Sequence, residues 1–456
     1  MRLLWAILLI GGMALPAAAQ IRISPDQARN AAQQFLLEGQ PLVARELARG
    51  LLLRDPNDLS AHLLLSISER HLGNYGEATK SGKKAWSLAE DPEGKFNAAL
   101  VTAQALSSNK AYTRSQIWLR RAAQIAPTEA TKEKAVNDLR YVRSINPWSM
   151  DYRFALRPSS NINNGSNADV ITIGGLPLLV SGRNKPLSGL GLTLGAAAEY
   201  TKPVSSTQAW RFGVDIETRQ YALSQEAKEI APDASGSDFA FSSLKLHAAY
   251  DWSAPSSRLA QSVEAQIGRY RYGGEPLSNL VWLKYAAVYR QKNGVENRLS
   301  LFAEGNSRLD NHARDTSQYS LIFQQRRATE SGGIFAWNFT ASTTNLTGDK
   351  EFGRATDLAN DAIGGGFRYT WAKPFFNATT SFGVQYEAQL YDTTRYVRGE
   401  QRKDHQTVAT LSMFFDEFEY YGFAPVLDIL YQRKISNAPL FSVNSFGVNL
   451  GIRSTF

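Results

Sequence analysis

Between residue 147 and the C-terminus, apolar and polar side chains alternate along the chain in one segment after another. The tail from Ser445 to Phe456 is an example, because its apolar residues mostly share one parity and its polar residues the other. A β-strand directs successive side chains to opposite faces, so each such segment predicts a strand with one apolar face. Strands are predicted at about 149–157, 189–202, 208–222, 238–252, 258–270, 280–291, 296–308, 317–327, 332–344, 362–372, 375–391, 405–416, 422–433 and 444–456.

The connectors between these segments are predicted to alternate between long and short. Residues 158–188 and 271–279 are examples of long connectors, and residues 203–207 and 373–374 of short ones. Short periplasmic turns and longer external loops are typical of outer-membrane barrels, whose closed sheet satisfies every backbone group in lipid. We therefore expect residues 147–456 to form a transmembrane antiparallel β-barrel of about fourteen strands. A soluble β-domain is the alternative, but its strands would not need this length.

The last segment predicts the strand that closes the barrel. Its polar residue, glycine and aromatic terminus, Asn449, Gly451 and Phe456, fit the tail that barrel-assembly machinery uses during biogenesis. The partner strand is the first one, around residues 151–157, so the two ends of the barrel are expected to meet in a seam. The first predicted strand is short, and short pairing weakens closure. Outer-membrane lipid is the expected surrounding of the apolar faces.

The first 19 residues predict a signal peptide that is removed on export. Arg2 precedes an apolar run, and Ala17 to Ala19 provide a small-residue cleavage site. The chain has no cysteine, which excludes disulfides, thiol nucleophiles and a lipidation cysteine. A net charge of +8 allows an acidic partner, but nucleic acid is not expected in the cell envelope.

Residues 20–146 predict a periplasmic helical domain with a repeat near 34 residues, the length of a tetratricopeptide unit. Glycine is expected at the turns and alanine where paired helices approach closely. The residues assigned to this packing are Gly39, Ala44, Gly73, Tyr75, Ala78 and Ala85. A generic stack of helical hairpins is the alternative. Either solenoid offers a groove for peptides or protein surfaces and carries no chemistry. The predicted fold class is therefore α+β, a helical repeat domain followed by a barrel.

Candidate catalytic residues are few. The five histidines have no metal-ligand spacing, and the serines near His247 do not form a triad pattern with an acid. We therefore predict no catalytic, metal or cofactor site, and no enzymatic activity.

The segment after the first strand resembles the opening of the barrel in the surface lipoprotein assembly modifier (Slam) family. The residues that carry this resemblance are Pro158, Ser160, Asn161, Ile162, Asn163 and Asn164. The resemblance implies an outer-membrane translocon that carries lipoproteins or related secreted proteins from the periplasm to the cell surface. The helical domain would engage the substrate, and the barrel would provide the path. Alternatives are a polysaccharide-export barrel with repeat helices and a porin or receptor barrel.

Overall fold

The computed structural model describes residues 23–173, 176–348, 357–393, 397 and 399–454. The chain divides into two compact units, with the boundary between Ser144 and Ile145. The predicted signal peptide and the terminal Phe456 lie outside the described residues.

The described part of the first unit contains helices, most of which pack against the next helix along the chain. Three of them, α1, α3 and α5, begin at Pro25, Leu59 and Pro92, so the repeat spacing near 34 residues is present in the structure. Asp58 and Asp91 cap α3 and α5 by accepting the N–H groups of residues 61 and 94 at 3.0 and 2.8 Å. The helices are α1 (Pro25–Leu37), α2 (Pro41–Arg54), α3 (Leu59–His71), α4 (Tyr75–Leu88), α5 (Pro92–Ser108), α6 (Tyr112–Ile125) and α7 (Glu129–Ile145).

The turns that close α1, α3 and α5 share one geometry. Gly39 follows α1 with φ of 73°, and Gly73 follows α3 with φ of 82°. Lys110 follows α5 with φ of 57°. In each turn a backbone N–H closes onto the carbonyl five residues earlier, at 2.7 to 2.9 Å. This left-handed conformation suits glycine, so Lys110 holds it against the cost of its Cβ.

Small residues allow the helices to pack closely. Ala44, Ala78 and Ala85 are fully buried, and Tyr75 begins α4 in a half-buried position. Gly82 of α4 lies so near α5 that an added Cβ would meet Thr102 Oγ1 at 2.4 Å. No helix within the described ranges is both long enough and apolar enough to span a membrane.

The second unit is a closed antiparallel barrel of fourteen strands, as predicted. Its first strand pairs with its last, and the other neighbours follow chain order. A small hairpin, β2–β3, lies in the first long connector, and a short helix α8 (Gln225–Ile230) lies in the second. The strands are β1 (Trp148–Ser159), β2 (Val170–Ile173), β3 (Leu176–Leu179), β4 (Gly189–Ser205), β5 (Gln208–Leu223), β6 (Phe241–Ser253), β7 (Leu259–Tyr272), β8 (Glu275–Arg290), β9 (Glu296–Arg308), β10 (Thr316–Ala328), β11 (Ile334–Leu346), β12 (Asn360–Thr370), β13 (Thr379–Tyr391), β14 (Lys403–Phe414), β15 (Phe423–Ser436) and β16 (Val443–Ser454).

The alternation of side chains gives the barrel an apolar outer face. On β5, Trp210, Phe212 and Ile216 point outward and are exposed. The intervening positions point into the lumen, where Arg211 and Asp215 form ion pairs with neighbouring strands. An apolar belt around a polar lumen is the arrangement of an outer-membrane-type barrel.

Four predicted connectors are wrong in length. The connectors predicted at 417–421 and 434–443 span residues 415–422 and 437–442, so the one predicted to be short is the longer of the two. The other two follow β7 and β12. The connector between β7 and β8 is a two-residue turn, because β8 begins at Glu275 and Gly273 and Gly274 both adopt positive φ. The connector between β12 and β13 spans residues 371–378, because Phe376 and Asn377 adopt left-handed φ and cannot continue a strand. The alternation of loop lengths is therefore real but not strict.

Candidate functional site

The seam, the junction between β1 and β16, is the least paired junction of the barrel. Among the residues that the structure describes, the two strands are in register at three pairs, Ala155 with Gly451, Leu156 with Leu450 and Ser159 with Gly447. Every other pair of neighbouring barrel strands is in register at eleven or more. The predicted meeting of first and last strands is confirmed, and hydrogen bonding there is sparse.

A proline interrupts the seam. Ser160 donates its backbone N–H to the carbonyl of Phe446 at 2.9 Å, so residue 158, two positions earlier on the same edge, also faces β16. The register places Pro158 opposite Val448. Proline has no N–H, and proline within sheets belongs to edge positions for this reason. The ladder is therefore broken opposite Arg157 and Pro158.

The short first strand that was expected to weaken closure is not the cause. Strand β1 has twelve residues, and β4 pairs with all twelve of them. Within the described part of the chain, β16 pairs with none of the residues Trp148–Phe154. In the described residues, Arg153 and Phe154 of β1 are in register with β4 alone, and Ile452 and Arg453, which lie in the positions opposite them, are in register with β15. Within the described part of the chain, the gaps in the pairing of the seam therefore lie at Arg157 and Pro158 and at Arg153 and Phe154.

Side chains of the motif form hydrogen bonds across the seam at its loop end, where β1 ends. The backbone N–H of Phe446 donates to Ser160 Oγ at 2.9 Å. Asn161, which is buried, donates from Nδ2 to the carbonyls of Gly165 and Asn444 at 2.9 and 3.3 Å. We call Ser160 and Asn161 with these partners the seam latch. The seam latch joins the two sides of the seam at residues that follow Pro158 in the chain.

The rest of the motif shapes the loop behind the latch. Asn163 donates to the carbonyls of Arg183 and Lys185, both at 2.8 Å, and accepts the N–H of Leu187 at 2.9 Å. Ile162 packs against a buried cluster that joins this loop to α8. Asn164 adopts a left-handed φ of 51°. All six motif residues therefore lie at or next to the loop end of the seam.

Sequence reasoning missed Gly165, which follows the motif directly. A Cβ at this position would lie 2.1 Å from the carbonyl oxygen of Lys185. The Asn-Gly pair at 164–165 was a turn signal that pointed to it. Sequence reasoning also missed Asn444 and Phe446, whose roles depend on backbone atoms and so leave no side-chain signature.

Two of the residues predicted in the terminal strand, Asn449 and Gly451, lie on its lumen side. Asn449 donates from Nδ2 to Asp428 at 2.8 Å, and Ser412 donates to the same carboxylate at 2.6 Å. Gly451 faces Ala155 across the seam, and an added Cβ would lie 3.8 Å from that of Ala155. Phe456 lies outside the described residues, so its predicted part in assembly stays a prediction.

Arginines on the lumen wall near the seam are paired with carboxylates of neighbouring strands. Arg153 of β1 lies 3.3 Å from Glu217 and also pairs with Asp215. Arg211 lies 2.9 Å from Glu199 and 2.6 Å from Asp251. This part of the wall is held by cross-strand ion pairs and provides a polar, water-compatible surface.

The model of the surface lipoprotein assembly modifier family matches residues 255–456. The match begins after the motif at residues 158–164, so it supports the predicted family independently of that motif. No curated protein matches the chain.

Several solved structures are similar to parts of the chain. The outer-membrane expressed OmpT of Vibrio cholerae has 10% identity and a TM-score of 0.35, with 68% of this chain and 98% of that chain covered. OccAB3 of Acinetobacter baumannii has 10% identity and a TM-score of 0.38, with 66% and 98% covered. The type III secretion translocator chaperone SycD of Yersinia enterocolitica has 17% identity and a TM-score of 0.24, with 27% and 88% covered.

Proposed function

We propose that this chain, whose residues 255–456 match the surface lipoprotein assembly modifier family, is an outer-membrane translocon. It moves lipoproteins or related secreted proteins from the periplasm to the cell surface. The observation that carries the proposal is the interrupted seam, which gives a closed barrel one place where two strands separate at low cost.

The chemistry of a lipoprotein favours such a seam. Its acyl chains are unfavourable in a polar lumen, at about 0.8 kcal/mol for each CH₂ exposed to water. Its polypeptide is equally unfavourable in lipid, where unpaired backbone groups have no partner. A lateral opening lets the polypeptide stay in the lumen while the acyl chains stay in lipid. Leu190, Phe446 and Val448 supply an apolar outer surface beside the seam at its loop end.

The helical unit is proposed to engage the substrate on the periplasmic side. Its helices expose large apolar side chains, including Leu37 at 79% and Leu53 at 88%. Exposed apolar residues on a helical repeat fit the capture of a partly folded polypeptide. If surface display of the substrate persists after deletion of residues 21–143, this assignment is wrong.

A reversible cross-link across the seam tests the proposal. The chain has no native cysteine, and Ala155→Cys with Gly451→Cys places two Cβ atoms at the 3.8 Å typical of a disulfide. The matched control, Ser320→Cys with Ser342→Cys, joins β10 to β11 on the far side of the ring at another lumen-facing register pair. Display of an epitope-tagged lipoprotein is measured by antibody binding to intact cells, with and without reductant.

We expect the oxidised seam variant to lose surface display and to recover it on reduction, while the control pair displays normally in both states. Cross-linking is confirmed by gel mobility, and folding of both variants by heat-modifiable migration. Normal display by a fully cross-linked seam would refute translocation through this junction.

A further inference from the structure

Three arginines lie close together on the lumen wall, away from the seam, at the end of the barrel where β1 begins. Arg326 of β10 and Arg368 of β12 are both in register with Ala336 of β11. Neighbouring strands are about 4.8 Å apart, so these two arginines stand about 10 Å apart with only a methyl group between them. Arg298 of β9 occupies the next lumen-facing row, in register with Gln324.

Two of the three arginines, Arg326 and Arg368, differ from Arg153 and Arg211 near the seam, which are paired with carboxylates. Arg326 and Arg368 are exposed to the lumen, and neither forms an ion pair or hydrogen bond with any residue that the structure describes. Glu296, the carboxylate in register with Arg326, is held by Arg290 at 2.9 Å and lies 3.8 Å from Arg298. The charge of Arg326 and Arg368 is therefore not matched by the wall itself.

The surroundings form a recess with a small-residue floor. Ala336, Gly366 and Gly383 line it. At Gly366 a Cβ would lie 2.3 Å from Gln385 Oε1, so this amide lies across the glycine. Glu296 also lines the recess, and its carboxylate is paired with Arg290 and Arg298, so the described lining leaves Arg326 and Arg368 for the carboxylates of a ligand.

We propose that Arg326 and Arg368 bind the carboxylates of an acidic polypeptide segment in the lumen. Each guanidinium offers a planar fork that receives a carboxylate through two hydrogen bonds. Two forks about 10 Å apart favour a ligand with repeated carboxylates over a single small anion. In an extended chain, alternate side chains are about 7 Å apart on one face, within reach of both forks. The identity of this segment as transported substrate rests on the proposed function.

The test measures binding to the full-length protein in detergent micelles by fluorescence anisotropy. The probe is a dye-labelled peptide in which glutamate alternates with glycine, and the reference peptide has glutamine at the same positions. The variant is Arg326→Gln with Arg368→Gln. The matched control is Arg219→Gln with Arg308→Gln, which removes two lumen-facing charges that already pair with Glu217 and Asp310.

We expect the recess variant to weaken binding of the glutamate peptide at least tenfold and the control variant to change it less than twofold. The single variants Arg326→Gln and Arg368→Gln should each show part of the loss. Unchanged binding in the recess variant, or equal binding of the glutamine peptide, would overturn the proposal. Equal competition by free glutamate or inorganic phosphate would also overturn it, because a small anion would then suffice.

The peptide-binding measurement does not require the protein to translocate a substrate. A seam result against translocation would leave the binding result intact, and a negative binding result would leave the seam proposal standing.

Discussion

Replacing Pro158 with alanine should close the seam more firmly. The substitution restores a backbone N–H opposite the carbonyl of Val448, on the edge of β1 that faces β16. The N–H of Ser160 on the same edge already donates to Phe446 at 2.9 Å, so the local geometry favours the new bond. Alanine adopts extended backbone without strain and keeps the outward side chain small.

The size of the effect follows from one added hydrogen bond. A typical intramolecular hydrogen bond contributes about 0.5 to 1.5 kcal/mol net. The equilibrium constant for opening the seam should therefore fall about 2- to 13-fold, since about 1.4 kcal/mol corresponds to a factor of ten. The seam has three register pairs within the described ranges, so one more hydrogen bond is a large addition to its pairing.

Hydrogen–deuterium exchange of the full-length protein in micelles measures this opening. Amides of β16 that face β1, including those of Val448 and Leu450, should exchange about 2- to 13-fold more slowly in Pro158→Ala. Peptides from β10 and β11 serve as the internal control and should not change. Ser160→Ala should act in the opposite direction, because the N–H of Phe446 loses its acceptor at 2.9 Å.

Unchanged exchange of β16 in Pro158→Ala would refute the argument that the missing N–H weakens the seam. Equal slowing in β10 and β11 would show a general stabilisation instead. If seam opening limits surface display, the rate of display should fall with the exchange rate.

The remaining predictions concern the helical unit and are measured by urea unfolding of the full-length protein, followed by helical circular dichroism. Gly82→Ala should destabilise the unit by about 1–3 kcal/mol, because the added Cβ would lie 2.4 Å from Thr102 Oγ1 of α5. Gly76→Ala has open space around the added Cβ and should raise the free energy of unfolding by up to about 1 kcal/mol. Lys110→Gly should stabilise by about 1 kcal/mol, since its φ of 57° is left-handed, and no gain would refute strain there. Burial raises the pKa of Asp58, but hydrogen bonds from Arg29 and from the α3 backbone outweigh it and lower the pKa overall. This stabilisation is present above about pH 4 and is lost as pH falls through the lowered pKa, so Asp58→Asn should destabilise by about 1–3 kcal/mol at pH 7 and by less in acid.

The sequence by itself determined the architecture. A period of two is a local property of each strand, so alternation predicted fourteen strands and their lumen-facing and outward-facing residues without knowledge of the pairing. The spacing of about 34 residues between the starts of alternate helices is likewise set by local sequence. The lengths of several connectors were wrong. Two of them were wrong because the Gly273-Gly274 turn and the left-handed residues before β13 depend on φ values that alternation does not report.

Only the tertiary structure decided what the seam and the recess contain. Pro158 and Val448 are far apart in the chain, and their opposition depends on the register in which the barrel closes. The same holds for Arg326 and Arg368, which become neighbours because both pair with Ala336. A shift of one residue in any of these registers would send the side chains to the other face. Strand pairing is a long-range property, and both candidate sites are made by it.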